Sequence, residues 1–105
     1  MQTYKVFLSD LARADLRDIV AYVSIADSIE RAKYVERGLL SAMKLLSTFP
    51  TIYPQDEYAS IPTREIRFVV KWRCKILFFI EADTVQVVGI FHTSQNTDKL
   101  ASYRL

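Results

Sequence analysis

The stretch "CKILFFIEADTVQVVGIFH", residues 74–92, decides the fold of this chain. Its first part, residues 74–81, is almost entirely apolar, which is typical of a central strand covered on at least one face. Asp83 and Thr84 favour a turn, and residues 85–92 form a second apolar run. The stretch therefore predicts two neighbouring strands joined by a short turn.

The residues before this stretch add a third strand and a cluster of positive charge. Ile66, Phe68 and Val70 alternate with other residues, which is the period-two pattern of a strand. Residues 63–105 hold seven Lys and Arg against four Asp and Glu, whereas residues 1–62 hold seven against eight. Five cations surround the connection to the next strand: Arg64, Arg67, Lys71, Arg73 and Lys75. Such a local basic patch predicts an anionic partner, either nucleic acid or an acidic protein segment.

The N-terminal half predicts one strand followed by two helices. Residues 3–9 alternate between apolar and other side chains, as in a strand. Apolar residues recur at helical spacing over residues 10–24 and again over residues 29–46, and Pro50 marks the end of the second helix. The predicted N-terminal caps are Ser9 or Asp10 for the first helix and Asp27, with Glu30 completing a capping box, for the second.

The resulting order, β-α-α-β-β-β, indicates an α+β fold of two layers. The helices form an antiparallel hairpin that packs on one face of a mainly antiparallel sheet. The second face is expected to be partly open, so that the strand cations can emerge there. We expect residues 1–105 to form a single domain.

Composition excludes several classes of protein. One cysteine excludes an internal disulfide, and one Cys with one His cannot form a structural zinc site, so no metal or cofactor is predicted. The N-terminus, "MQTYKVFLSD", lacks the apolar segment of a signal peptide, and no apolar run is long enough to span a bilayer. These features predict a small, soluble, cytoplasmic protein with no membrane partner.

The ordered set of motifs resembles the RelE/ParE superfamily of bacterial type II toxins. Residues 9–22 match the pattern S-x-x-A-x-x-D-L-x-x-I-x-x-Y, and residues 74–92 match the family strand pair without gaps. The first pattern falls on Ser9, Ala12, Asp15, Leu16, Ile19 and Tyr22, while Ala32, Leu46, Phe49 and Pro50 match the second helix and its end. The chain departs from the family where Cys74-Lys75 replaces Tyr-Arg, Phe78 replaces Tyr, and Gln95-Asn96 replaces Arg-Asp.

The resemblance implies one of two activities, each neutralised by an antitoxin. ParE-type members bind and inhibit DNA gyrase, and RelE-type members cut mRNA in the ribosomal A site. The ParE branch is favoured by the helical hairpin with its long second helix. It is also favoured because Lys75 replaces the usual Arg and Gln95-Asn96 leave no Arg at the Arg-Asp position after His92. The alternative, a ribosome-dependent endonuclease, would use Arg64, Arg67, Lys75, His92 and Tyr103. A third reading is a toxin-like binding module without toxicity. We expect an antitoxin segment to lie across the helical hairpin and the sheet.

The candidate target-binding residues are Arg67, Lys71, Trp72, Arg73 and Lys75. The four cations are expected to share one anion-facing surface, while Ile66, Phe68, Ile76, Phe78 and Ile80 supply the core from the same strands. The competing interpretation is that the cations are solvated charges that protect an exposed sheet from aggregation. Cys74 is interpreted as a core residue, His92 as a structural hydrogen-bonding residue, and Asp15 and Asp18 as ordinary solvated helix charges.

Overall fold

The structure, a computed structural model, describes residues 3–57 and 64–92. The sheet order is β1-β4-β3-β2, with β1 parallel to β4 and the other pairs antiparallel. The elements are β1 (Lys5–Leu8), α1 (Asp10–Ala26), α2 (Ile29–Leu45), a short 3₁₀ helix (Pro50–Ile52), β2 (Arg67–Lys71), β3 (Cys74–Glu81) and β4 (Thr84–His92). The predicted α+β fold, with a helical hairpin on a mostly antiparallel sheet, is confirmed.

The second helix begins one residue later than the capping prediction places it. Ser28 is its N-cap, and the Ser28 hydroxyl accepts the Arg31 N–H at 3.0 Å. Asp27 instead ends α1, because its own N–H donates to the Val23 carbonyl at 2.8 Å. The predicted Asp27 capping box is therefore wrong, and a hydroxyl replaces the carboxylate at the cap. None of the helices in the described part of the chain is long and apolar enough to cross a membrane.

Ser9 joins the start of α1 to an irregularity in β4. The pairing of β3 with β4 shifts at this point, so that Val88 is skipped between the partners Val87 and Gly89. The Ser9 N–H donates to the Val87 carbonyl at 2.9 Å, and its hydroxyl donates to the Val88 carbonyl at 3.0 Å. The same hydroxyl accepts the Ala12 N–H at 3.0 Å and so caps α1. The Ser9 hydroxyl therefore bonds a main-chain carbonyl at the bulge and a main-chain N–H at the start of the helix.

The Asp15 side chain accepts a hydrogen bond from β4 at a point beyond the end of β1. The last partners of β1 and β4 are Leu8 and Val87, so Ile90 lies beyond the reach of β1. The Asp15 Oδ2 accepts the Ile90 N–H at 2.9 Å and takes the place of a strand carbonyl. The prediction that Asp15 is an ordinary solvated charge is therefore wrong. This bond gives a structural reason for an Asp at this point of the α1 motif.

Removing the Asp15 carboxylate should destabilise the fold measurably. Asp15→Ala leaves the part-buried Ile90 N–H without this acceptor, and losing one partner of such a bond costs about 1–3 kcal/mol. The matched control is Asp18→Ala on the exposed side of the same helix, which should change stability by less than about 0.5 kcal/mol. Urea unfolding of both variants checks the difference. Equal midpoints and slopes for the two variants would contradict the assigned role.

Both faces of the sheet carry buried apolar side chains. Phe78, Ile76 and Val69 lie on the face that packs against the helices. The opposite face holds a second buried cluster: Ile66, Leu77, Phe79, Val88 and Phe91, with Phe68 against it. Ile66, Phe68, Ile76, Phe78 and Ile80 all lie in or against a buried cluster, as predicted, but Ile66 and Phe68 belong to the second cluster, so the five do not share one face. The second face carries this cluster because apolar residues alternate on both faces of β3, while Val70 on the same face is 51% exposed.

Candidate target-binding site

The connection between β2 and β3 is a two-residue turn with an unusual backbone. Lys71 pairs with Cys74, so Trp72 and Arg73 form the whole loop. Trp72 has a φ of 55°, in the left-handed region that bulky side chains rarely adopt. Such a conformation costs on the order of 1–3 kcal/mol and persists only where the surroundings fix it. Trp72 is nevertheless 45% exposed, so the strain presents an aromatic side chain to the surface.

Tyr34 and Gly38 of α2 hold Trp72 in place. The Trp72 and Tyr34 ring centroids lie 5.6 Å apart, and a Cβ built on Gly38 would overlap the indole. The Lys71 ammonium lies 4.8 Å from the Trp72 ring, and the Arg31 guanidinium lies 5.2 Å from the Tyr34 ring. Two cations and two aromatic rings therefore form one continuous stack. Gly38, a glycine inside a helix, was the sequence signal for this close approach, and it was missed.

A groove of about 640 Å³ runs beside this stack, between the helical hairpin and the β2–β3 turn. Its lining is mainly apolar and aromatic, and the charged lining residues are two arginines and one aspartate. The lining residues are Asp18, Ile19, Tyr22, Val23, Arg31, Tyr34, Val35, Trp72, Arg73 and Cys74. Tyr22 is 72% exposed, so the apolar surface continues outward along α1. An apolar groove with a cationic rim suits an amphipathic segment that carries acidic side chains.

Arg67, a candidate in both functional readings, is bound within the molecule. Its Nη1 donates to the main-chain carbonyl of Tyr53 at 2.6 Å and to that of Thr51 at 3.3 Å. Its Nη2 lies 3.3 Å from the Glu65 carboxylate. Arg67 therefore fastens the 3₁₀ helix and the residue that follows it to β2. Its position opposite Phe78 places it on the helix-facing side of the sheet.

Lys75 lies on the other face of the sheet and forms an ion pair. Its Nζ is 3.1 Å from Oδ2 of Asp56, a carboxylate that is only 2% exposed. The same ammonium lies 4.5 Å from the Phe68 ring. The pair shields a buried charge, so Lys75 has a structural task where a surface cation was predicted. Asp56 was missed from the sequence because it lies within a polar, proline-containing loop.

Arg64 and Arg67 face opposite sides of the sheet, as their odd spacing predicts, but both reach one cavity. The Arg64 guanidinium lies 4.0 Å from the Phe79 ring and 3.7 Å from the Glu81 carboxylate. Together with Arg67 and Glu65, these groups line a cavity of about 430 Å³. Two carboxylates balance the two guanidinium groups there, so the cavity has no excess positive charge.

The predicted single cationic surface is not formed. Arg67 and Lys71 pair with Phe78 and Cys74 and so face the helices, whereas Lys75 faces the opposite side. The prediction that these cations share one face is wrong, because the two-residue turn keeps odd positions of β2 opposite even positions of β3. The structure brings together only Lys71, Trp72 and Arg73, which we call the basic turn. Tyr103 and the His92 side chain lie outside the described part of the chain.

Cys74 is a core residue, as the sequence predicts. It is buried on the helix-facing side at the floor of the groove, and burial raises the pKa of its thiol above the ordinary value. A thiol held in its neutral form is a poor nucleophile. Within residues 3–57 and 64–92, no cluster of His, Cys, Asp and Glu could hold a metal ion.

Comparison with known proteins bears on this arrangement. Residues 6–97 match the family model of the ParE toxin of the type II toxin–antitoxin system parDE. The fold is similar to a solved structure described as the chromosomal ParDE TA system from P. aeruginosa, with a TM-score of 0.70 and 16% identity. That match covers 86% of this chain and 96% of the other. No curated protein sequence gives a significant match.

Proposed function

This chain belongs to the ParE toxin family of type II toxin–antitoxin systems, and on that premise we propose that it arrests growth by binding DNA gyrase through its basic turn. A cognate antitoxin neutralises it by covering the groove beside that turn. In this proposal the toxin is a binding protein, and Lys71, Trp72 and Arg73 supply its main contacts.

The observation that carries the proposal is that some of the cations form ion pairs within the protein and others do not. Arg64, Arg67 and Lys75, which the nuclease alternative requires, are each paired with a carboxylate, at 3.7, 3.3 and 3.1 Å. A nuclease needs such groups free to approach the scissile phosphate. Lys71 and Arg73 have no ion pair within the described part of the chain, and both lie beside an exposed Trp. The basic turn thus has the composition of a binding surface, since Trp and Arg are enriched among residues that dominate protein interfaces.

The groove, which shares Trp72 and Arg73 with the basic turn, offers the antitoxin a mainly apolar binding surface. Its floor contains Ile19, Val23 and Val35, which suit aliphatic side chains of an amphipathic segment. Arg31 and Arg73 at the rim favour acidic residues at the edges of that segment. A segment seated there lies against Trp72 and Arg73, so neutralisation follows from covering the target-binding turn.

Inhibition of gyrase tests the proposed mechanism. We expect the purified protein to inhibit supercoiling by gyrase, and its expression to block replication and induce DNA-damage signalling while mRNA stays intact. The co-expressed product of the neighbouring gene should form a stable complex and relieve the inhibition. Supercoiling assays with and without that product make the measurement.

Three other results would contradict parts of the proposal. Codon-positioned cleavage of mRNA in a translating extract, with gyrase unaffected, would contradict the gyrase proposal and favour the RelE-like endonuclease. Growth that continues at full rate during expression of the folded protein would favour the non-toxic binding module. A protein that stays uncomplexed at micromolar concentration when mixed with the neighbouring gene product would contradict the antitoxin proposal.

A further inference from the structure

The outer edge of β2 is paired along only part of its length. The Asp56 N–H donates to the Ile66 carbonyl at 2.7 Å, and the Phe68 N–H donates to the Pro54 carbonyl at 3.0 Å. Gln55 forms the bridge with Arg67 between these two bonds. Residues 54–56 therefore act as a short extra strand beside the first half of β2.

This pairing stops at Pro54 for a chemical reason. Proline has no N–H, so it cannot donate to the Phe68 carbonyl. The Phe68 N–H points to Pro54 and away from β3, and hydrogen-bonding direction alternates along an antiparallel pair. Val70, two residues further on, therefore also directs its N–H and carbonyl to the outer edge. Before Pro54 the chain turns aside into the 3₁₀ helix, and no described residue bonds these groups of Val70.

We propose that the edge of β2 at Val70 binds an extended, acidic segment of the antitoxin by strand addition. Three main-chain groups are presented in the order acceptor, donor, acceptor: the Phe68 carbonyl, the Val70 N–H and the Val70 carbonyl. Val70 is 51% exposed and gives the added strand an apolar neighbour. This inference rests on the proposed function, because it assigns a second contact to the same antitoxin.

Charge decides which partner fits this edge. Lys71 follows Val70 on the edge strand and Arg73 follows in the turn, and neither forms an ion pair within the described part of the chain. Self-pairing of two β2 edges would bring these cations of two copies together, and like charges on paired strands are destabilising. An acidic segment gains from the same cations. The edge also leads directly into the basic turn, which begins at Lys71 next to Val70, so one segment can continue from the edge into the groove.

The test is a proline placed at the edge. Val70→Pro removes the donor and leaves the β3 pairing intact, because the Val70 N–H points outward and edge strands tolerate proline in that orientation. We expect this variant to bind the neighbouring gene product at least about tenfold more weakly than the natural chain. The control Val70→Ala keeps the N–H and should bind within about threefold. Thermal melting of both variants shows that each remains folded.

Hydrogen exchange of the Val70 amide gives an independent reading that needs no variant. In the free chain this amide should exchange quickly, and in the complex it should be protected. A complex in which the Val70 amide still exchanges freely, or one that Val70→Pro binds as tightly as Val70→Ala does, overturns this inference and leaves the proposed function standing. The absence of any complex overturns both. Protection of the Val70 amide in the free chain, together with a dimer in solution, would show a second copy as the occupant and likewise overturn it.

Discussion

A Lys71→Ala/Arg73→Ala double variant should lose growth inhibition while keeping the melting temperature of the natural chain. Both side chains lie in the basic turn, outside every ion pair of the described residues, so removing them costs little stability. If the turn dominates the target interface, the affinity for gyrase should fall about 30-fold or more, because hot-spot residues contribute about 2 kcal/mol or more. Growth assays, gyrase binding and thermal melts on the same preparations make the comparison.

A second double variant separates local contact from overall charge. Arg17→Ala/Lys33→Ala removes two exposed cations from the helices and lowers the net charge equally. It should stay fully toxic if the basic turn acts through its own contacts. Should both double variants melt normally and remain toxic, the cations of the turn would return to the class of solubilising charges. Equal loss of toxicity in both would indicate long-range electrostatic attraction instead of a specific contact.

The order of elements could be predicted because it depends on local patterns. The apolar run at residues 74–81 and the alternation at residues 66–70 each indicate a strand without knowledge of the rest of the chain. The side of the sheet that each residue faces could not be predicted in the same way. It depends on the length of the turn, and a two-residue loop of Trp72 and Arg73 places Lys71 opposite Cys74. One residue more or less in that loop would have moved the cations of β2 to the other face.

Partners of charged side chains were the least predictable part of the site. Asp15 and Ile90 are 75 positions apart, and Lys75 and Asp56 are 19 apart. Neither pair has a local signature, because a buried carboxylate and a solvated one look alike in a sequence. The sequence shows five cations around the β2–β3 connection, but three of them form ion pairs in the structure. Only Lys71 and Arg73 of these five form no ion pair within the described part of the chain.

The Trp72–Gly38 contact could be read only once both elements were placed. A glycine in a helix interior is unfavourable by about 1 kcal/mol relative to Ala, so it usually has a packing reason. Here the reason is the indole of a residue in the left-handed region, which needs the missing Cβ. Two locally unfavourable choices support one exposed aromatic, and this is the pattern expected where strain serves binding.

Phe78→Ala should unfold most of the protein at physiological temperature. Phe78 is fully buried between the sheet and the helices and meets the Tyr53 ring edge-on, with centroids 6.1 Å apart. Truncating such a side chain costs about 3–5 kcal/mol, through lost transfer energy and the cavity that remains. For a domain whose total stability lies at the lower end of the usual range of about 5–15 kcal/mol, this loss removes most of the free energy of unfolding. Phe78→Ala should therefore abolish toxicity through loss of fold, and far-UV circular dichroism with thermal melting measures it.

The matched control is Phe7→Ala on β1, where the ring is 47% exposed and loses less contact on truncation. We expect its melting temperature to fall by only a few degrees, since about 1 kcal/mol shifts a domain of this size by about 4–8 °C. A Phe78→Ala variant that melts like Phe7→Ala would mean that the core can collapse around the missing ring. Toxicity lost with the fold in Phe78→Ala, and lost without it in Lys71→Ala/Arg73→Ala, would assign the two sides of one hairpin to separate tasks. In that case the helix-facing side of β3 would hold the protein together, and the turn at its start would meet the partner.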